Sequence, residues 1–408
     1  MNILFLTVTR VSDINERGIY TDLMREFRDH GHKIFIVAPT ERRYKEETSL
    51  KVQDNITILN VKSFNIQKTN VVEKGIGTLL LEYQFAKAID KYYSQIVFDL
   101  IIYSTPPITL SKVIKKLKLR DRALCYLLLK DIFPQNAVDL GMIKERSLIH
   151  RFFNMKEREL YEISDYIGCM SPANVQYIKD NHPQVDPHKL EVNPNSIQPV
   201  EANNSVNLRK TLRTKYSIPL DSIVFVYGGN LGKPQGLDFL LEVLESNMSN
   251  DKVFFLIIGT GTEYGRLKSW FAKFNPSNAL LISTLPKVEY DNLLETCDVG
   301  LIFLDSRFTI PNFPSRMLSY MEFRMPIVAA TDLHTDIGKI IEINNFGYWC
   351  KNGDLDQFNA AIEKFLQNDS QIRNMGELGY NYLTNNYLSC HSYNIIMKQA
   401  IIFHSRPR

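Results

Sequence analysis

Short uninterrupted apolar runs alternate along the chain with longer stretches whose apolar residues recur every three or four positions. The run NILFLTV (2–8) has the composition of a strand buried on both faces. A helical stretch follows, with Ile19, Leu23 and Phe27 at four-residue spacing and Gly31 as its stop. KIFIVAP (33–39), FDLIIYS (98–104) and ALCYLLL (123–129) repeat the strand pattern with helical segments between them. Such βαβ repetition predicts a doubly wound parallel sheet. The rhythm breaks at NPNSIQPVEANNSVN (193–207), which is rich in Asn and Pro and poor in apolar residues. It restarts with SIVFVYGGN (222–230), VFFLIIGTG (253–261), ALLIST (279–284), DVGLIFLD (298–305) and PIVAATD (326–332). The pattern predicts two Rossmann-like α/β domains, 1–196 and 209–378, joined by a linker over 197–208. A helical segment, 379–408, is expected to pack back on the first domain. Ligands of such sheets bind beyond the C-terminal strand ends, so two halves facing across a cleft would carry the site there.

Composition narrows the class. A chain of 408 residues is long for one core, and 44% hydrophobic with 23% charged residues is an ordinary globular balance. A net charge of +3 gives no argument for nucleic acid as a partner. Cys125, Cys169, Cys297, Cys350 and Cys390 are scattered and never form C-x-x-C, which fits a reducing cytoplasm. The opening MNILFLTVTR reads as a strand and not as a signal peptide, and no run reaches the ~18 apolar residues that span a bilayer.

Candidate chemistry gathers in the loops. In YGGNLGKPQGLDFLLE (227–242), Gly228 and Gly229 permit close approach of a ligand or another backbone. Gly232 and Gly236 are expected at positive φ, and Pro234 stands where a Walker loop needs Ser or Thr. GTGTEYG (259–265) follows the second strand of its domain, which disfavours a dinucleotide fingerprint and suits a turn lining a nucleotide pocket. Asp354 of GDLD (353–356) precedes a helical run and reads as an N-cap; no cluster has metal-ligand spacing, so no metal is expected. In NFPSRMLSYMEFRMP (312–326), Pro314 suits a first helical turn, and Ser315 and Arg316 would lie at a helix start able to hold an anion. Glu322 is expected to be a solvated helix residue. Lys130, Asp131, Gln135 and Asn136 follow directly on a buried strand, where Asp131 can steer a hydroxyl or act as a base. In LSKVIKKLKLRDR (110–122), Lys112, Lys115, Lys116, Lys118 and Arg120 surround an apolar face, a pattern that suits contact with anionic lipid.

In order and spacing, ILFLT, GHKIFIVAP, SPANVQYI, PNSI, YGGNLGKPQG and FPSRMLSYMEFRMPIVAA resemble bacterial polysaccharide glycosyltransferases of the two-Rossmann-domain (GT-B) type, within family four of the sequence classification. The likeness spans essentially the whole chain. Aligning the motifs puts the two glutamates usual in that family at Pro311 and Ser319, and its loop Arg and Lys at Asn230 and Gln235, so those roles are not carried over. The departures, G-N-x-G-x-x-Q-G and P-S-Arg, are similar to a subgroup of capsule and O-antigen assembly that includes N-acetyl-L-fucosamine transferase-like enzymes.

The resemblance implies a cytoplasmic enzyme at the inner face of the membrane. It would move an N-acetylated, often deoxy, sugar from a UDP-sugar to an undecaprenyl-diphosphate-type lipid-linked acceptor, with retained anomeric configuration and no cofactor. The donor diphosphate falls to Gly228, Gly229, Asn230, Lys233, Gln235, Gly236, Pro314, Ser315, Arg316 and Ser319. The nucleoside falls to Gly259, Thr260, Gly261, Leu285 and Pro286, and the sugar or β-phosphate to Thr335 and Asp336. Arg10, Gly18, Asp131 and Gln135 are implied on the acceptor side, with Asp131 and Arg316 as the catalytic pair. Two other readings fit the same residues: a UDP-sugar epimerase on the same fold, and a non-catalytic nucleotide-sugar-binding subunit.

Overall fold

A computed structural model describes residues 1–66, 71–201 and 206–405. The chain divides into two compact units, Met1–Gln198 with Leu388–Arg408, and Pro199–Tyr387.

The first unit holds an eight-stranded sheet. Its strands are β1 (Asn2–Leu6), β2 (Lys33–Glu41), β3 (Ser49–Gln53), β4 (Ile56–Ser63), β5 (Leu100–Ser104), β6 (Leu124–Leu129), β7 (Tyr166–Cys169) and β8 (Leu190–Val192). The spatial order is β3-β4-β2-β1-β5-β6-β7-β8, parallel except for β3 against β4. Both faces are covered, as the continuous apolar runs require. Leu4 and Leu6 enter one core with Phe85, Ile114 and Leu160, while Ile3 and Phe5 enter another with Phe27 and Tyr126. That second core is completed by Tyr393, Ile396 and Ala400 of helix Ser389–Ser405. The Tyr393 ring packs on Phe27 and stacks on His30, both on or next to helix Ile19–Asp29.

The second unit holds a six-stranded parallel sheet ordered β11-β10-β9-β12-β13-β14. These are β9 (Ile223–Asn230), β10 (Val253–Thr260), β11 (Ala279–Ile282), β12 (Val299–Phe303), β13 (Ile327–Thr331) and β14 (Gly347–Lys351).

The unit boundaries differ from the expected ones. Helix Asp369–Asn386 runs through 378/379 and packs on helix Arg316–Glu322, so the chain leaves the second unit only at Tyr387. Ile197 bridges Leu388, and Ser389 N–H donates to Ile197 O at 3.0 Å. The expected linker 197–208 runs into helix Val206–Lys215, and its residues 202–205 lie outside the described ones.

That helix is fastened by a buried cation. Arg213, 0% exposed, donates to Thr296 O at 2.8 Å, to Ser222 O at 3.0 Å and to Asp298 Oδ2 at 2.6 Å. Asp298 Oδ2 also accepts from Val224 N–H at 2.8 Å, which ties the starts of β9 and β12 together. Removing Arg213 leaves the buried carbonyls of Thr296 and Ser222 without this donor and Asp298 to Arg209 alone, whose Nη2 donates to Oδ1 at 2.7 Å. Arg213→Ala is therefore expected to cost about 3–5 kcal/mol in urea unfolding. Because the cluster lies at the N-terminal strand ends, the KM of any folded variant should be unchanged.

Candidate functional site

Several strands of the second sheet end in polar loops on one side. β9 ends in Gly228-Gly229-Asn230, β10 in Thr260, β12 leads to Asp305, and β13 leads to Asp332. At this end Arg316 is the central side chain. Its guanidinium carbon lies 4.2 Å from the centroid of the Tyr227 ring, and Nη2 donates to Gln235 Oε1 at 2.7 Å. Nη1 is shielded from solvent and has no hydrogen-bond partner. Burial works against the charge of Arg316, but the neighbouring Tyr227 and Tyr320 oxygens outweigh it and raise its pKa.

Two glycines explain why the loop carries no side chains there. Gly228 N–H donates to Tyr320 Oη at 3.1 Å, and a Cβ on Gly228 would sit 2.0 Å from the Tyr290 hydroxyl oxygen. Gly229 has φ +120° and faces the Arg316 guanidinium; a Cβ there would lie 3.6 Å from Nη2. Gly236 takes φ +55°, as expected, but Gly232 has φ −115°, so the expectation of positive φ at Gly232 is corrected. A 3-10 turn, Lys233–Gln235, carries Gln235 inward and leaves Lys233 exposed, as is Asn230.

The remaining expected positions divide. Gly259 and Gly261 are spent on packing: a Cβ on Gly259 would meet Gly229 O at 1.9 Å, and one on Gly261 would meet Leu231 O at 2.2 Å. Both therefore secure close passage of neighbouring backbone, and Thr260 is half-buried at the β10 end. Leu285 and Pro286 lead into helix Lys287–Leu294, whose Tyr290 closes on Gly228. Helix Arg316–Glu322 has only seven residues; Pro314 precedes it, Ser315 occupies its N-cap without a side-chain cap bond, and Ser319 is half-buried. Arg316 is thus held by Tyr227 and Gln235 across the sheet end more than by its own helix start. Thr335 Oγ1 donates to Asn312 O at 2.6 Å and joins the 312–316 segment to the β13 loop, and Asp336 takes the next N-cap position.

Residues outside the expected set complete the surroundings. Asn312 Nδ2, Asn352 Nδ2 and Asp332 Oδ2 are, like Arg316 Nη1, buried atoms without a partner. Asp332 Oδ1 accepts from His334 N–H at 2.7 Å and from Thr335 N–H at 2.9 Å, and burial raises its pKa. Orphaned polar atoms concentrated at one strand end suit a polar ligand. Tyr290 is pushed up to about 12, chiefly by burial, and so stays a neutral hydroxyl at physiological pH.

In the first unit, Lys130 and Asp131 stand at the end of β6. Burial pulls the Lys130 ammonium down to about 7, and its Nζ donates to Asn193 O at 3.1 Å. Burial likewise pushes Asp131 up to about 6, against two bonds from Asn136 Nδ2 at 2.8 and 2.9 Å. Glu157, buried nearby and repelled by Asp131, rises to about 8, mainly through desolvation. Gln135 Nε2 is turned to Asp139 at 2.8 Å. Arg10 pairs with Glu46 at 2.7 Å and lies over the Tyr44 ring, and Gly18 N–H caps onto Asp22 at 3.1 Å.

Two expectations are corrected. Glu322 is not solvated: it is 2% exposed and accepts from Val200 N–H at 2.8 Å. The basic row is largely neutralised, with Lys116 paired to Asp90 at 2.6 Å, Lys118 to Asp165 at 2.7 Å and Arg120 to Asp121 at 2.6 Å. Lys112 and Lys115 remain exposed. Asp354 does cap its helix, accepting from Gln357 N–H at 3.0 Å. Among the described residues no group of three His, Cys, Asp or Glu side chains is placed to share a metal ion, and no helix is long and apolar enough to cross a membrane.

Residues 209–382 match the family Glycosyl transferases group 1. The chain is 22% identical over 327 residues to a probable glycosyltransferase, WbjE, of Pseudomonas aeruginosa, covering 78% of each sequence. In fold it is similar to a sucrose-phosphate synthase from Thermosynechococcus elongatus, with TM-score 0.76 and 14% identity over 99% of this chain and 100% of that one. It is also similar to Anabaena HepE solved in complex with UDP, with TM-score 0.68 and 14% identity over 98% and 99% of the two chains.

Proposed function

We propose that this chain, a glycosyltransferase of the GT-B fold, moves a sugar from a UDP-sugar to a lipid-diphosphate-linked saccharide of a surface polysaccharide. Its place is the cytoplasmic face of the membrane. The observation that carries the donor half is Arg316: a guanidinium fixed by Tyr227 and Gln235 and facing Gly229, with Nη1 buried and left without a partner. Departure of the donor's diphosphate builds negative charge, and a preorganised cation at that point stabilises the transition state. Neighbouring buried orphans, Asn312, Asn352 and Asp332, offer further donors and an acceptor to the same ligand. UDP is favoured as the nucleotide by the HepE complex, and a surface polysaccharide by the subgroup resemblance and the WbjE likeness.

We assign retention of configuration, with a phosphate oxygen of the donor taking the proton of the attacking hydroxyl and Asp131 accepting a hydrogen bond from a neighbouring hydroxyl of the acceptor sugar. The N-acetylated sugar class follows from the subgroup resemblance. Mass spectrometry of a lipid-linked acceptor incubated with a panel of UDP-sugars tests the reading, and the expected result is a single added hexosamine residue. The same assay in EDTA is expected to run at an unchanged rate, because a fixed guanidinium meets the leaving charge. Loss of turnover that magnesium restores would overturn metal independence.

A further inference from the structure

The middle of helix Val71–Tyr92 carries apolar residues on two faces. It buries Leu81, Phe85 and Ile89 against the sheet, yet Ile76, Leu79, Leu80 and Tyr83 are exposed, Tyr83 by 66%. A helix with two apolar faces needs a second apolar surface to cover it. Helix Leu148–Ile163 repeats the feature: Leu148 is 83% exposed and Ile149 60%, with Met155 exposed two turns on. The two helices flank the start of helix Ser111–Asp121. Thr109 Oγ1 donates to Thr78 O at 3.1 Å, and Glu82 accepts from Lys112 and Val113 N–H. Ser111 Oγ donates to Glu159 at 2.7 Å. Both exposed apolar groups thus belong to helices that flank the start of helix Ser111–Asp121, which follows the C-terminal end of β5.

Charge distinguishes the occupant. Glu82 is spent on backbone N–H groups, Glu159 on Ser111 and Lys156, and Glu145 lies beside Arg146. Lys112, Lys144, Arg151 and Arg158 are exposed, against Glu162 at the far end of its helix. Next to the apolar residues, an open hollow of about 470 Å³ is lined by Arg151, Asn154, Met155, Arg158, Glu159 and Glu162. Two copies meeting through this face would set the cationic rim against itself, which disfavours a dimer. A sheet of anionic head groups over hydrocarbon complements both the rim and the apolar centre.

We infer that the exposed apolar faces of helices Val71–Tyr92 and Leu148–Ile163 insert into the surface of an anionic bilayer, with the surrounding lysines and arginines at head-group level. The inference moves the membrane contact away from the largely paired lysine row. It deepens the lipid-linked acceptor reading, and rests on that reading for its purpose but not for its evidence.

Flotation of the full chain with vesicles of phosphatidylcholine and phosphatidylglycerol tests it. The wild type is expected to float with these and poorly with pure phosphatidylcholine. Leu79→Glu/Leu80→Glu and Leu148→Glu/Ile149→Glu should each lower the bound fraction at least about tenfold. Leu119→Glu, an exposed apolar residue off the patch, should leave it unchanged. Unchanged melting curves establish that the variants fold. Equal flotation of all variants, or a wild type that never floats, overturns the inference. So does a wild-type dimer in light scattering that the double variants turn to monomer without any vesicle binding. Sugar transfer in detergent, measured on the same proteins, separates the two readings: a wild type that floats but transfers nothing sinks the acceptor reading alone.

Discussion

Arg316→Ala is expected to lower kcat/KM for the donor by about 10²–10³, the loss seen when one preorganised stabiliser of a developing charge is removed. The guanidinium is already held in place, with one nitrogen on Gln235, its carbon over the Tyr227 ring and the other terminal nitrogen buried and unpaired. Little reorganisation is left for the reaction, so most of its electrostatic effect is available in the transition state. Arg316→Lys should rescue poorly, because one ammonium cannot both hold Gln235 and reach a ligand. Initial rates of UDP release, with circular dichroism as the check on folding, decide the matter. An alanine variant within fivefold of wild type would remove the diphosphate assignment.

At Asp131 the expected effect is also large, and its pH dependence has a definite sign. Burial raises the carboxyl to about 6, so below that pH it is protonated, loses its charge and holds an acceptor hydroxyl less strongly. kcat should fall as the pH drops through about 6 and level off above it. Asp131→Asn should lower the plateau by at least about a hundredfold and remove that limb. Stability should move the other way. A raised carboxyl holds its proton more tightly in the folded state, so the contribution is full below the unfolded pKa and lost as pH rises through about 6. Above pH 6 the asparagine variant is therefore expected to melt higher than wild type. Slower turnover with a higher melting temperature marks a residue kept for chemistry; slower turnover with a lower one would make Asp131 structural.

The strands were legible wherever burial on both faces wrote a continuous apolar run, as in NILFLTV and VFFLIIGTG. The hairpin β3–β4 interrupts the βαβ rhythm, and its local signal is short. Asp54-Asn55, both at positive φ, joins two alternating segments and is the kind of turn that closes a two-residue hairpin. Arg316 could be singled out from its local setting, but its partners could not. Gln235 and Tyr227 lie 81 and 89 residues earlier in the chain, and only the parallel sheet brings them to it. Tyr290 was invisible for the same reason. Its role is to occupy the space that Gly228 leaves, and nothing near Tyr290 in sequence reports that. The lysine row shows the converse error: a charge pattern read without its partners overstates the free charge, because Asp90 and Asp165 come from other elements. Glu322 misled for want of Val200, which arrives from 122 residues away. Gln235 is met by a cation from a different element, the Arg316 guanidinium.

Helix Ser389–Ser405, set against Phe27 and Tyr126, has a consequence for how the protein is made. The sheet of the first unit, made before that of the second, lacks part of one wall until residues near 400 have been synthesised. The second unit, Pro199–Tyr387, is complete in the nascent chain before the first can close. During that interval the part of this apolar face that helix Ser389–Ser405 covers is open to solvent or to a chaperone, while helix Ile19–Asp29 can already cover the rest. Order of synthesis and order of completion are thus reversed: the first unit is begun before the second and completed after it.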